Sequence, residues 1–205
     1  MSLYDRRVLP RLLDLVMRQE TLAGYRARTV AAAHGDVLEV GIGSGLNLQF
    51  YGKAVSHLTG IDPSAELLAM AERRTAGAPC PVVLVQASAE ALPLDDHAID
   101  TVVMTWSLCS IPDPAAALAE MRRVLRPGGR LLFVEHGLAP EPSVRKWQNR
   151  LTPCWRHVGG GCHLNRKMDD LIRAAGFEIV SLDTGYMTGP RLLTFLYQGS
   201  ATPGA

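Results

Sequence analysis

The sequence predicts an α/β fold with one doubly wound, mostly parallel sheet covered by helices on both faces. Three observations carry this. Apolar strand-like runs alternate with amphipathic helical stretches from about residue 35 onward. The first of those strands runs into a glycine-rich turn. The last two strands succeed each other with no helix between them, which predicts an antiparallel hairpin at the sheet edge. A chain of 205 residues with 47% apolar residues is one globular domain. It shows no internal repeat, low-complexity run or linker.

The elements follow in order. Leu9, Leu12, Leu13 and Val16 recur at helical spacing with Arg11, Asp14 and Arg18 opposite them, so an amphipathic helix covers residues 9 to 18. A second helical stretch covers about 20 to 33, and His34-Gly35 breaks it. Val37 to Gly41 reads as a short buried strand. Helices are then expected near 45–53, 64–76, 113–126 and 164–175, and strands near 57–62, 82–86, 99–106 and 130–135. Asp113-Pro114 is an N-cap followed by proline at the first helical position, and Leu118, Met121 and Leu125 form that helix's buried stripe. Pro127-Gly128-Gly129 turns the chain. The closing strands span about 177–183 and 191–198, joined through Gly185 and Gly189-Pro190.

Composition excludes several classes. Lys and Arg number 21 against 20 Asp and Glu, a net charge of +1, which removes the simplest case for nucleic-acid binding. Asp5, Arg6, Arg7 and Arg11 among the first leucines exclude the apolar core of a signal peptide. No stretch is apolar enough for a membrane span. Cys80, Cys109, Cys154 and Cys162 form no CxxC and no disulfide-scaffold spacing, so a reducing, cytoplasmic setting is expected.

The chemistry-bearing signal begins at residues 37–45, VLEVGIGSG. Gly41, Gly43 and Gly45 permit a sharp turn with no side chains, so that a ligand approaches the backbone and meets a helix N-terminus. Asp62 ends the next strand about 20 residues on, where a carboxylate accepts hydrogen bonds from ribose hydroxyls. Leu46 stands where a dinucleotide fingerprint needs a small residue, and no GK[ST] follows for a phosphate loop. A purely structural glycine turn and a dinucleotide site are the remaining alternatives.

EVGIGSG, GIDPS, ASAEALPL, DTVVMTWSLCSIPDP and RVLRPGGRLLFVEH, in that order, resemble the class I S-adenosylmethionine-dependent methyltransferases over roughly residues 35–198. The resemblance implies a Rossmann-like, seven-stranded sheet with an antiparallel C-terminal hairpin. It also implies S-adenosyl-L-methionine as cofactor and S-adenosyl-L-homocysteine as product. Carried over position by position, Glu39 and the backbone of Gly41, Gly43 and Gly45 hold the methionine end. Asp62 takes the ribose hydroxyls, and Pro63 lies against the adenine. Ser88, followed by Ala89 and Glu90, stands where the family often has an adenine-binding Asp. Thr105 and Trp106 line the reactive methyl group.

No NPPY-like turn follows the fourth strand, which argues against planar amines. LCSIPD, RVLRPGGRLLFVEH, Trp147, Trp155, the stretch Gly161 to Arg166, and Ala175-Gly176-Phe177 together resemble the methyltransferase-like family that includes microsomal alkyl thiol S-methyltransferases. Those proteins carry a hydrophobic N-terminal anchor. This sequence has YDRRVLPRLLDL instead, so membrane contact is expected to be peripheral. A small-molecule thiol is the first acceptor. Quinone-precursor C-methylation, phospholipid N-methylation and a non-catalytic binding module are the alternatives.

His136 and His163 are candidate helpers for proton removal, each with the alternative of a hydrogen-bonded structural imidazole. No metal site is expected, because Cys154, Cys162 and His163 match no usual ligand spacing. Cys109 reads as a buried small hydrophobe. Residues 143–173 hold seven Lys or Arg against two acids around Trp147 and Trp155, an anionic-lipid or RNA surface, or else a solvated helix face. The core consumes 35–136 and the hairpin 177–198. Selectivity therefore falls to an N-terminal helical lid, 1–33, and a substrate-side insert and helix, 137–174. Oligomeric state is left open.

Overall fold

A computed structural model describes Tyr4 and residues 8–204; Asp5, Arg6 and Arg7 lie outside the described residues. The chain runs α1 (Leu9–Met17), α2 (Glu20–Val30), β1 (Gly35–Val40), a 3-10 turn (Leu48–Phe50), β2 (Val55–Asp62), α3 (Ala65–Thr75), β3 (Val82–Gln86), β4 (Ile99–Thr105), α4 (Pro114–Val124), β5 (Leu125–His136), α5 (Pro142–Val158), α6 (Met168–Ala174), β6 (Phe177–Tyr186), α7 (Arg191–Thr194) and β7 (Phe195–Pro203). The seven strands lie in the order β3-β2-β1-β4-β5-β7-β6. The first five are parallel, and β7 runs antiparallel between β5 and β6.

Burial follows position in the sheet. Central β1 and β4 are buried along almost their whole length, as expected of strands covered on both faces, whereas edge strands β3 and β6 are mostly part-exposed or exposed. Caps fix the helices beside the site. Ser64 Oγ accepts from Leu67 N at the start of α3, and Asp113 Oδ1 accepts from Ala115 N and Ala116 N at the start of α4. With β1 ending at Val40, β2 at Asp62 and β4 at Thr105, the carboxyl ends of three adjacent strands meet at one edge of the sheet, beside the point where strand order reverses.

Four expectations are corrected. The helix expected at 45–53 is a run of turns with one 3-10 turn, because Gly45 at φ +79° and extended Tyr51 interrupt it. The hairpin strands are longer than expected, and the single helical turn α7 lies between them. The longest helix, α5, was missed; Pro153 sits inside it and disguises its period. Finally, α1 docks on a different face from the one its leucines suggest. Leu9, Pro10 and Asp14 are buried, while Leu12, Leu15 and Val16 are exposed. Among the described residues no helix is long and apolar enough to cross a membrane.

A candidate ligand cavity at the glycine turn

A cavity of about 470 Å³ opens where β1, β2 and β4 end, roofed by α1 and the C-terminal end of α5. Of the residues singled out by sequence, Gly41, Gly43, Asp62, Pro63, Ser88, Ala89, Thr105 and Trp106 all line it. Glu39, Gly45, Glu90, His136 and His163 are not part of its wall.

The glycine turn is built for close packing on one side and for access on the other. A Cβ on Gly41 would stand 2.5 Å from Ser107 Cβ, and one on Gly45 would press into Leu48 and Ala71 at 2.9–3.2 Å. At Gly43, by contrast, a Cβ has no neighbour closer than 4.0 Å, so that glycine faces open space. No α-helix follows, and the turn's amides are used locally. Gly41 N and Ile42 N donate to Ile61 O, and Gly43 N donates to Asp62 Oδ2 at 3.0 Å. The glycines therefore admit a ligand to the backbone without a helix N-terminus to receive it.

Asp62 is 7% exposed, and its other oxygen accepts from Ser64 N at 2.9 Å. Burial pushes its carboxyl above the ordinary range, against the lowering effect of the two backbone bonds. Two acceptor lone pairs stay free toward the cavity. Ser88 Oγ donates to Glu90 Oε2 at 2.7 Å, so its proton is committed and a lone pair remains available.

Beneath the floor lies a buried polar network that sequence reading missed. Glu39, 1% exposed, accepts from Asn47 Nδ2 and Tyr51 Oη, both at 2.8 Å. Arg26 Nη1 donates to Asn47 Oδ1 at 3.0 Å and Thr105 Oγ1 at 3.3 Å, and its guanidinium stacks 4.8 Å from the Trp106 ring. Burial pushes the Glu39 carboxyl up to about 7, against the hydrogen bonds of Tyr51 and Asn47 and the charge of Arg26. Burial likewise pulls Arg26 down to about 10. Glu39 thus supports the wall through Asn47 and Arg26 without reaching it.

Two buried polar atoms of the wall residues lack any protein partner, Arg26 Nε and Ser107 Oγ. A guanidinium N–H and an unpaired hydroxyl on one cavity wall suit a ligand with a carboxylate and an amine. Trp106 adopts φ +50°, a conformation rare for a bulky residue, and its N–H is tied to Val134 O at 2.9 Å.

The lid is pinned by one carboxylate. Asp14 of α1 is 6% exposed and accepts from Ser44 Oγ at 2.6 Å and Arg74 Nη2 at 2.9 Å, with Arg18 paired to its other oxygen. Burial alone would raise its pKa, but the bonds from Ser44 and Arg18 and the Arg74 charge outweigh that and hold it low. Ser44 belongs to the glycine turn, so α1 is locked directly onto the ligand-binding backbone.

The two histidines expected to help proton removal lie elsewhere. His136 is buried with Nε2 3.1 Å from Cys162 Sγ, and His163 Nδ1 lies 3.3 Å from Cys109 O. The histidine that lines the cavity is His157, near the end of α5. Its Nδ1 lies 2.8 Å from Pro153 O. A carbonyl only accepts, so Nδ1 carries a proton and Nε2 is the ring nitrogen left for the cavity side. Cys109 is buried as expected, but against Cys162 and His136.

Residues 38–133 match the family model described as "Methyltransferase domain". The chain is 38% identical to thiol S-methyltransferase TMT1B of Rattus norvegicus over 72% of its own length and 62% of that protein's. It thus spans less than two thirds of the rat relative. It is 40% identical to phosphatidylethanolamine N-methyltransferase of Cereibacter sphaeroides, over 62% of this chain and 68% of that one. Among solved structures, an S-adenosylmethionine-dependent methyltransferase of Leishmania major superposes with a TM-score of 0.72 at 16% identity, covering 97% of this chain and 80% of that one. That likeness shows a shared fold.

Proposed function

The chain belongs to the methyltransferase domain family, and from that premise we propose that it transfers a methyl group from S-adenosylmethionine to a small or lipophilic acceptor, a thiol sulfur first. The single observation that carries this reading is the cavity at the ends of β1, β2 and β4, whose wall combines Gly43, Asp62, Ser88 and the partner-free Nε of Arg26 and Oγ of Ser107. When bound, S-adenosylmethionine supplies a methyl group already activated on a sulfonium. What this chain supplies is position and exclusion of water.

In this reading Asp62 holds the ribose hydroxyls, Ser88 accepts from the adenine amino group, and Arg26 meets the carboxylate of the methionine end. The roof beside Trp106 is apolar, with Leu9, Leu13, Met17, Ile111 and Pro112 on the wall, which favours a lipophilic acceptor. His157 Nε2 takes the proton that a thiol gives up. A thiol of pKa about 8.5 needs only this modest help. The rat relative's name, a thiol S-methyltransferase, supports the same acceptor.

Calorimetry with S-adenosylhomocysteine tests the cofactor site. Binding by the wild type, weakened by Asp62→Ala, is expected; equal binding by the two overturns the assignment. Radiolabelled methyl transfer to a panel of thiols, phenols and amines tests the acceptor, and preferential labelling of amines or phenols overturns the thiol.

One observation favours a second reading, an acceptor delivered from a lipid surface, such as a phospholipid amine or a quinone precursor. Leu12, Leu15 and Val16 of α1 and Trp147, Leu151 and Val158 of α5 are exposed, among Arg11, Arg18, Arg145, Lys146 and Arg150. The Cereibacter relative's name supports a phospholipid acceptor. Flotation with anionic vesicles, lost on Leu15→Glu with Trp147→Ala, is the expected result for that reading, and absence of wild-type flotation removes its support.

A further inference from the structure

We propose that Cys109, His136 and Cys162 form a binding site for one zinc-class metal ion. The three ligand atoms lie within 4.8 Å of one another, and His136 Nε2 is 3.1 Å from Cys162 Sγ. Around tetrahedral zinc, Zn–S of about 2.3 Å and Zn–N of about 2.0–2.1 Å put neighbouring donors roughly 3.5–3.8 Å apart. An ion therefore enters with donor separations changing by up to about 1 Å, within reach of small side-chain rotations. Two thiolates and an imidazole are a soft donor set, suited to Zn(II) or Cu(I) and unsuited to Mg(II) or Ca(II). A divalent ion also balances both thiolate charges in a buried place, and the two thiol protons leave to solvent on binding.

The three residues come from distant parts of the chain. Cys109 sits in the turn after β4, His136 ends β5, and Cys162 lies in the turn between α5 and α6. Each is held by contacts that leave the donor atoms converging. Trp155 Nε1 donates to Cys162 Sγ at 3.2 Å, the kind of outer contact that steadies a metal-bound sulfur. His163 N donates to Cys109 O at 2.8 Å, and Arg166 Nη1 donates to Leu108 O and to Ile111 O, which fixes the Cys109 turn from both sides. Buried Leu108 precedes Cys109, buried Leu164 lies two residues after Cys162, and both belong to the same core. This set differs from Cys154, Cys162 and His163, the combination weighed from spacing; Cys154 is exposed.

The methyl-transfer reading uses none of these three groups, yet they adjoin its cavity. Trp106, Ser107 and Ser110 on one side of the cluster and Gly159, Gly160 and Gly161 on the other are wall residues. A bound ion staples the β4 turn to the α5–α6 turn and so fixes the acceptor end of the cavity. With three protein donors, water or an external ligand takes the fourth position.

The test uses the full chain, stripped of metal with a chelator and kept reduced by a phosphine, titrated with Co(II). Expected are thiolate-to-cobalt charge-transfer bands and tetrahedral d–d bands saturating at one equivalent, displaced by one equivalent of Zn(II). Cys109→Ala and Cys162→Ala should each weaken cobalt binding by more than the roughly 10–100-fold typical of outer-sphere changes. Cys80→Ala and Cys154→Ala should leave it unchanged. Native mass spectrometry of the wild type with Zn(II), expected to show a one-zinc adduct, serves as the measurement that needs no variant to fold. Absence of the charge-transfer bands, their survival in Cys162→Ala, a zinc-free native mass, or a Cys109–Cys162 disulfide that persists under the phosphine overturns the proposal.

Discussion

Glu39→Gln should stabilise the protein at pH 8 and not at pH 5. Glu39 is fully enclosed, and burial pushes its carboxyl from 4.5 up to about 7. Between those two values the folded state keeps a proton that the unfolded chain has lost. Folded protein then binds more protons than unfolded, so stability falls as pH rises through that window. A shift of this size corresponds to about 3 kcal/mol, lost in full once the pH exceeds the folded value. Glutamine has no charge to bury and escapes that loss. Its amide oxygen can still accept from Asn47 Nδ2, now 2.8 Å from Glu39 Oε1, but its NH2 must face Tyr51 Oη, whose proton then needs another acceptor. Disturbing one such hydrogen bond costs about 1 kcal/mol. The net expectation is a variant roughly 2 kcal/mol more stable than wild type at pH 8 and about equal to it at pH 5, where the wild type, above the unfolded value of 4.5, has already lost a little under 1 kcal/mol. Urea unfolding of both proteins at the two pH values measures this. Glu135 is also raised to about 7 by burial, but it is present in both proteins and cancels in the difference. A Glu39→Gln variant destabilised equally at both pH values would refute the reasoning.

Three further outcomes follow from the cavity wall and the glycine turn beneath it. Arg26→Gln should weaken S-adenosylhomocysteine about 10–100-fold, the value of one charge-assisted hydrogen bond pair, while leaving 5′-methylthioadenosine, which lacks the carboxylate, unaffected in the same calorimetric assay; equal losses for both ligands would argue against a carboxylate contact. Gly45→Ala should cost about 1–3 kcal/mol in urea unfolding, because its φ of +79° is unfavourable and the new Cβ meets Ala71 at 3.1–3.2 Å. Asp14→Ala removes the partner of Ser44 and Arg74, so limited proteolysis within α1 should speed up and S-adenosylhomocysteine should bind about tenfold more weakly, the effect of losing roughly one hydrogen bond's worth of preorganisation. Unchanged proteolysis of α1 would show that the lid is held by other contacts.

The part of the cavity around the glycine turn was legible because its signals are local in the chain. A strand end, a glycine triplet and an acid closing the next strand can each be read from a few neighbouring residues, and the structure sets Gly41, Gly43, Asp62, Pro63, Ser88, Thr105 and Trp106 around one cavity. The helices that complete the wall were read less well, for a common physical reason. An amphipathic helix is ordinarily oriented by its apolar stripe, and its charged residues are assigned to solvent. In α2, however, Leu22, Arg26 and Val30 follow one another at i, i+4 and all are buried, so the arginine occupies the stripe itself. Asp14 does the same in α1 between Pro10 and the cavity. Gln148 and Thr152 do so in α5, where Gln148 is fully buried, accepts from Ala139 N and donates to Gly137 O and Leu192 O. Burying such groups is costly unless each is paired. A polar residue at a stripe position therefore marks a place where the helix docks on other polar groups, and in α1 and α2 those places are the wall and lid of the cavity. The same spacing rule would have found Arg26 and Asp14 without a structure. It could not have found the meeting of Cys109, His136 and Cys162, because each lies outside any helix and only the closure of the sheet and its connecting turns brings them together.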